Sequence, residues 1–167
     1  MKVDLVPGIT PVSVRSVDET ARELGELMDN PREVAEIAHR MAAALVAVVH
    51  HPNADPALLF GVVAPTAAPV GPDDAVALRR HLTGVGDIRD VVDGRTPGGC
   101  PVVFAERVVT PERLRVGEPF DCQMQAVVAD PRRPRIAVFT LSSATGRGWL
   151  DLSALFGRMV ATVAFDA

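Results

Sequence analysis

The fold is decided by residues 100–165, CPVVFAERVVTPERLRVGEPFDCQMQAVVADPRRPRIAVFTLSSATGRGWLDLSALFGRMVATVAF. Three segments with strand-like composition follow one another here, over residues 102–109, 120–128 and 136–142. An amphipathic segment over residues 150–163 then carries its apolar residues at helical spacing. The stretch predicts an α+β fold, in which helices pack on the faces of an antiparallel sheet.

The second of these strands alternates between apolar and polar residues. Its two faces carry Phe120, Cys122, Met124 and Ala126 on one side and Asp121, Gln123 and Gln125 on the other. Such alternation is typical of an antiparallel strand with one face in the core and one in solvent. The third strand is apolar on both faces, so we expect it to be central and covered on both sides, or to contact a partner.

The first hundred residues add helices and further strands. Ser16 and Glu19 have the spacing of a capping box at the start of a first helix. Asn30 and Pro31 predict the start of a second helix, which the apolar spacing extends over residues 31–49. The remaining predicted elements are edge strands within 2–14, a strand over 57–64, a helix from 73 to 82 and a strand over 88–92. We expect residues 1–167 to form one domain, as is usual for this length.

The composition argues against several classes of protein. The net charge of −4 is unlike that of a nucleic-acid-binding protein, which usually carries a basic surface. No apolar run approaches the roughly 18 residues of a membrane span, and we expect no signal peptide. Two cysteines do not make a disulfide framework. These features predict a cytoplasmic protein, and sixteen arginines against one lysine indicate a GC-rich, actinobacterial genome.

No catalytic motif of a hydrolase, a zinc enzyme or a phosphate-binding loop occurs in the sequence. His50 and His51 end the predicted second helix, where imidazoles interact with free carbonyl groups, and they lack further metal ligands at a suitable spacing. Cys100 follows two glycines in a setting that permits exposure, whereas Cys122 lies on the apolar face of its strand. We predict no enzymatic activity, no cofactor and no metal.

The segment from Ser142 to Gly148 is the best candidate for an anion site. It joins a strand to a helix N-terminus, where free amides and the helix dipole attract phosphate. The candidate residues are Ser143, Thr145, Gly146 and Arg147. Helix capping by serine and threonine explains the same residues better.

The candidate interface lies on the sheet and on one of its connections. Gln123 and Gln125 occupy the polar face of their strand, and Arg132 and Arg133 form a basic tip between the last two strands. Exposed arginines on a hairpin are usually solvated, and an acidic partner is the alternative.

The order of elements resembles small actinobacterial proteins of the Mog1/PsbP-like α/β/α superfamily. Residues 135–165 carry the likeness: a strand ends in a Ser/Thr-rich loop, and an apolar helix with the pair Leu155-Phe156 returns to Val163-Ala164-Phe165. The resemblance implies an α/β/α sandwich and a non-catalytic accessory or binding role, associated with secretion in some members. It carries no functional residue over to this chain.

Three functions follow as hypotheses. The first is a non-catalytic cytoplasmic accessory or assembly protein that binds another protein, or a second copy of itself, through the sheet or a helix face. The second is a protein that binds a small hydrophobic ligand in a pocket between the sheet and the helix at 31–49. The third is an unrecognised enzyme that uses Cys100 or the loop at 142–148.

Overall fold

The computed structural model describes residues 1–25, 28, 30–83, 88–108 and 122–166. The strands in these ranges are β1 (Ile9–Val12), β2 (Leu45–Val49), β3 (Ala57–Pro65), β4 (Ile88–Arg95), β5 (Pro101–Val108), β6 (Cys122–Ala129) and β7 (Arg135–Ser143). The helices are α1 (Val17–Gly25), α2 (Pro31–Arg40), α3 (Pro72–Thr83) and α4 (Trp149–Ala161).

These strands form one sheet with the order β1-β2-β3-β7-β6-β5-β4, and each neighbouring pair is antiparallel. One half is the meander β1–β2–β3, the other is the meander β4–β5–β6–β7, and β3 pairs with β7 between them. The apolar strand β7 is therefore central, as its composition predicts. The predicted α+β fold, with helices packed on the faces of an antiparallel sheet, is confirmed.

Helix α4 lies on one face of the sheet and buries the main core. The helix contributes Leu152, Phe156, Met159 and Val160, and the strands below contribute Leu59, Ala126, Phe139 and Leu141. Burying a side chain of this size stabilises the fold by about 1.5–3 kcal/mol. The predicted helix over 150–163 is thus confirmed as an element, with bounds two residues tighter at its end.

Helices α1, α2 and α3 lie on the opposite face and cover its two flanks. Leu24 of α1 and Ala38 of α2 pack with Val12, Val46 and Val48 of β1 and β2. Ala75 of α3 packs separately, with Val91, Val103 and Ala105 of β4 and β5. The two apolar clusters are distinct, and the central strands β7 and β6 lie between them.

The helix predicted over residues 31–49 is wrong beyond residue 40. Helix α2 ends at Arg40, Ala42 adopts a left-handed backbone with φ of 51°, and Leu45–Val49 forms β2. The segment LVAVV is apolar at every position, so periodicity alone does not separate a helix from a strand buried on both faces. Its valines and its pairing with β1 and β3 favour the strand.

Several smaller boundaries also test the sequence predictions. The Glu19 amide donates to Ser16 Oγ over 3.2 Å, which confirms the serine half of the predicted capping box. Helix α2 begins at Pro31 with Asn30 at the N-cap position, as predicted, but Asn30 has φ of 56° and its side chain makes no capping hydrogen bond. Strand β4 continues to Arg95, beyond the predicted end at Val92. Phe120 and Asp121 of the predicted second late strand lie outside the described residues.

Candidate functional site

The centre of the sheet face opposite α4 is only half-covered. Residues of β3, β6 and β7 that point to this face are half-buried, whereas their neighbours that point to α4 are mostly buried. We call this surface the open face and define it by Phe60, Val62, Gln123, Gln125, Val127, Val138, Thr140 and Ser142. It lies between the α1–α2 pair on one flank and α3 on the other.

Cross-strand pairing arranges the open face in rows across β3, β7 and β6. The rows are Val62–Val138–Val127, Phe60–Thr140–Gln125 and Leu58–Ser142–Gln123. The first row is entirely valine, and the third ends in a hydroxyl and a carboxamide. The open face is therefore apolar towards one end and rich in hydrogen-bonding groups towards the other.

The polar side chains of the open face have no hydrogen-bond partner within the described part of the chain. This holds for Gln123, Gln125, Thr140 and Ser142. Each glutamine carboxamide offers two donors and one acceptor. Covering such groups without partners costs about 1–3 kcal/mol each, so a molecule that covers this end must supply hydrogen bonds of its own.

Helix α2 presents an apolar wall towards the open face. Its links to α1, from His39 Nε2 to Thr20 Oγ1 (3.3 Å) and from Arg32 Nη1 to Asp18 Oδ1 (3.1 Å), fix the side that faces α1. Helical spacing then places Ile37 and Met41 on the other side, towards the centre of the sheet. Met41 is 50% exposed. The spacing of apolar residues in the sequence predicts that Ile37 and Met41 lie on the apolar side of α2. It does not show that this side stays exposed.

The predicted interface residues fall on two separate surfaces. Gln123 and Gln125 lie on the open face, as the alternation of β6 predicts. Arg132 and Arg133 lie at the exposed β6–β7 turn, beyond the end of the strands. The structure brings the two glutamines together, and it places the two arginines together elsewhere.

Asp130 shapes the turn that carries these arginines. Its buried carboxylate accepts hydrogen bonds from the Arg132 and Arg133 amides at 2.9 and 3.3 Å and from Arg135 Nε at 2.7 Å. Burial raises the pKa of the Asp130 carboxyl group, but the hydrogen bonds and the Arg135 charge outweigh it and hold the pKa below its ordinary value. Arg135 also stacks on Phe165, with its Cζ 5.0 Å from the ring centroid.

The candidate anion residues are engaged by the loop itself. Thr145 Oγ1 donates to Asp55 Oδ2 over 2.8 Å, and Arg147 Nη1 lies 3.6 Å from Asp55 Oδ1. Ser143 Oγ accepts from the Gly146 amide at 3.1 Å. An internal carboxylate thus already faces Arg147, and the hydroxyls satisfy loop amides. The anion site at Ser143, Thr145, Gly146 and Arg147 stays a prediction.

The two cysteines lie in the core and not in a reactive setting. Cys100 is 4% exposed and Cys122 is 2% exposed. The exposure that the sequence permits for Cys100 does not occur, because β4 and β5 close over the turn and the Cys100 amide donates to Thr96 Oγ1 at 3.2 Å. Cys100 precedes β5 and the 142–148 loop follows β7 at the opposite end of the sheet, so the two do not meet.

The described residues form few arrangements that could hold a metal ion or a small ligand. Among the described residues there is no group of three or more histidine, cysteine or acidic side chains arranged to hold a metal ion. His51 Nδ1 lies 3.5 Å from Asp151 Oδ2 and ties β2 to α4.

The pocket predicted between the sheet and a helix at 31–49 is not formed as predicted. Helix α2 ends at Arg40, and the space beneath it is filled by Leu24, Val46 and Val48. An open cavity of ≈ 220 Å³ lies beside the end of α2, lined by Val14, Ala38, His39, Ala42 and Ala43.

The fold defines the chain as an α+β protein built on one seven-stranded antiparallel sheet. A solved structure of this shape is LpqN of Mycobacterium tuberculosis, which is described as involved in cell envelope biogenesis. It matches with a TM-score of 0.50 and 12% identity, over 95% of this chain and 78% of the LpqN chain. This likeness concerns the fold. The sequence matches no protein-family model and no curated protein.

The helices of the described chain are too short or too polar to cross a bilayer, and none of them meets the requirements of a membrane span.

Proposed function

We propose that this chain is a non-catalytic accessory or assembly protein that binds another protein through the open face. The observation that carries the proposal is the half-buried centre of the sheet, where a valine row adjoins four polar side chains without partners in the described part of the chain. A face of this kind offers apolar area for affinity, and hydrogen-bonding groups without a protein partner for register. Protein segments supply both kinds of contact together.

The neighbouring features support a protein partner over a small ligand. The open face is broad, since it spans three strands and is bordered by the apolar side of α2. Small-molecule sites are usually concave and enclose most of the ligand. The space under α2 is filled, and the cavity near Ala42 lies away from the open face.

We also propose that the chain is related to the Mog1/PsbP-like superfamily. The sandwich of one sheet between α4 and the three other helices agrees with that architecture. LpqN shares the fold and is involved in cell envelope biogenesis, which supports an accessory role in an assembly process. We place the protein in the cytoplasm, as its composition predicts, and fractionation of cells that carry a tagged copy tests this location.

A paired substitution tests the open face directly. Thr140→Arg places a long charged side chain in the middle row, and we expect it to reduce recovery of the partner by at least about tenfold. Val76→Arg is the matched control, because Val76 is 48% exposed on α3, which packs on a different part of the sheet. Both variants are purified with a tag from the source organism and checked by thermal melting.

Four outcomes decide between the possible occupants of the open face. Selective loss of one protein with Thr140→Arg supports the proposal. A dimer in native mass spectrometry that only Thr140→Arg disrupts assigns the face to a second copy. Equal recovery with both folded variants, or a bound small hydrophobic molecule with no protein partner, contradicts it.

A further inference from the structure

A second surface lies on the other face of the sheet, beside α4. Helix α4 packs over β6 and β7 and leaves the outer strands β5 and β4 partly uncovered on its own side. Val92 of β4 is 54% exposed there, opposite the half-buried Phe104 of β5. Leu150, in the first turn of α4, is 84% exposed. We call this surface the α4-side patch and define it by Asp90, Val92, Phe104, Glu106, Trp149 and Leu150.

The orientation of α4 connects these residues. Asp151 reaches His51 of the β2 end, and Leu155 lies against Gly8, so one side of α4 faces β1 and β2. Trp149 lies on the other side, and its Nε1 donates to Glu106 Oε1 of β5 over 2.6 Å. Leu150 is the next residue of α4, about 100° further round the helix, and projects into solvent at the end of α4 that contacts β5.

The space over this part of the sheet is open. Gly94 of β4 shares a face with Val92, and Gly157 lies two turns after Trp149 on α4. A Cβ atom added at either glycine would meet no atom within 4 Å. Phe104 packs edge-on against Phe156, with ring centroids 6.2 Å apart, and forms the floor. The patch thus has room for a further side chain between the helix and the edge strand.

The charge of the patch is uniformly negative. Asp90 and Glu106 are directly opposite each other on β4 and β5, a placement that is unfavourable for like charges. Neither carboxylate has a basic partner within the described ranges. Glu106 accepts a hydrogen bond from the Trp149 indole, which is uncharged. A cation near both groups would remove this repulsion.

We infer that the α4-side patch binds a basic amphipathic segment of a partner protein. An apolar side chain of that segment packs on Val92, Phe104 and Leu150, and an adjacent arginine or lysine pairs with Asp90 and Glu106. Arginine fits best, because its planar fork bonds two carboxylate oxygens at once. The patch lies on the opposite face from the open face, so both surfaces bind independently.

A peptide selection tests this inference even while the partner is unidentified. A library of short random peptides is selected on the immobilised full-length protein, and the enriched sequences are synthesised. Trp149 is the only tryptophan of the chain, so its fluorescence reports binding at the patch itself. We expect enriched peptides that join an aromatic or aliphatic residue to arginine or lysine, with binding that weakens as salt increases.

Substitutions then assign the contacts. Leu150→Asp should weaken binding of the selected peptides by about tenfold or more, and Asp90→Asn by several-fold. Val76→Asp on α3 and Glu33→Gln on α2 are matched controls on the opposite face of the sheet, and both should leave binding unchanged. Neutral or acidic enriched peptides, peptides indifferent to Leu150→Asp, or the absence of enrichment would overturn the inference. A dimer that Leu150→Asp dissolves would also overturn it and assign the patch to a second copy.

Discussion

At the scale of single residues, Asp130 has the most defined role in the described chain. Its side chain is 1% exposed, yet it is charged and accepts three hydrogen bonds from the turn that it begins. A buried charge is tolerated only when it is paired and hydrogen-bonded, and Arg135 with the two amides supplies this. Asp130 therefore fixes the β6–β7 turn and sets the positions of Arg132 and Arg133.

The lowered pKa of Asp130 predicts a pH-dependent contribution to stability. The folded pKa lies below the ordinary value of 3.8, so the folded state binds fewer protons than the unfolded state as pH falls through this range. The contribution is fully present above the ordinary pKa and is lost as pH decreases through the folded pKa. We expect Asp130→Asn to lower the free energy of unfolding by about 1–3 kcal/mol at neutral pH.

Urea unfolding from about pH 6 down to about pH 3 measures this effect as a slope. The difference between wild type and Asp130→Asn should shrink as the pH falls. Asp18→Asn removes a carboxylate that is 85% exposed and should change stability by less than about 0.5 kcal/mol. A gap between wild type and Asp130→Asn that stays constant over this range would contradict the assigned role.

The positions of some residues in the candidate sites could be predicted from the sequence, and those of others could not. Gln123, Gln125 and Cys122 were predictable because strict alternation in β6 assigns each to a face. The burial of Cys100 was not, because it depends on how the β4–β5 turn closes, and no local pattern encodes that closure. The carboxylate of Asp55 at the 142–148 loop is ninety residues from Thr145 in sequence, and local spacing gives no sign of it.

At the scale of elements, the segment from Met41 to Val49 marks the boundary of what periodicity resolves. A buried helix and a strand buried on both faces can both have a continuous apolar sequence. Residues 41–49 have such a sequence, and they continue the apolar spacing of α2 without interruption. The structure separates them with a left-handed residue, Ala42, whose φ is 51°. Strand β6 was predictable by contrast, since its alternation of apolar and polar residues fits a helix poorly.

The left-handed conformation of Ala42 predicts an unusual response to glycine. Ala42→Gly removes the steric cost of this backbone conformation, and we expect stability to be unchanged or raised by up to about 1 kcal/mol. Ala77→Gly, at an exposed position within α3, should lower stability by about 1 kcal/mol. Chemical denaturation of the two variants and the wild type gives the comparison. Equal destabilisation by both substitutions would mean that residues 41–44 continue the helix.

For the whole molecule, the proposed docking surface follows from where the helices of the described residues lie on the sheet. Seven strands make a sheet wider than one helix layer covers, and the three helices on one face divide into a pair and a single helix. The centre of that face therefore remains half-covered. The sequence predicts the helices and most of the strands, but the strand order and the placement of α2 and α3 arise from long-range pairing. That is why the two glutamines were identifiable while the valine row and the α2 wall were not.

Site-specific photo-crosslinking in cells shows whether a partner protein covers the open face. A photoreactive phenylalanine analogue replaces Gln125 in one tagged copy and Val76 in another, and both are irradiated in cells of the source organism. We expect a discrete crosslinked protein band from position 125 and none from position 76. A protein that crosslinks at neither position, or equally at both, would contradict the assignment of the open face as the docking surface.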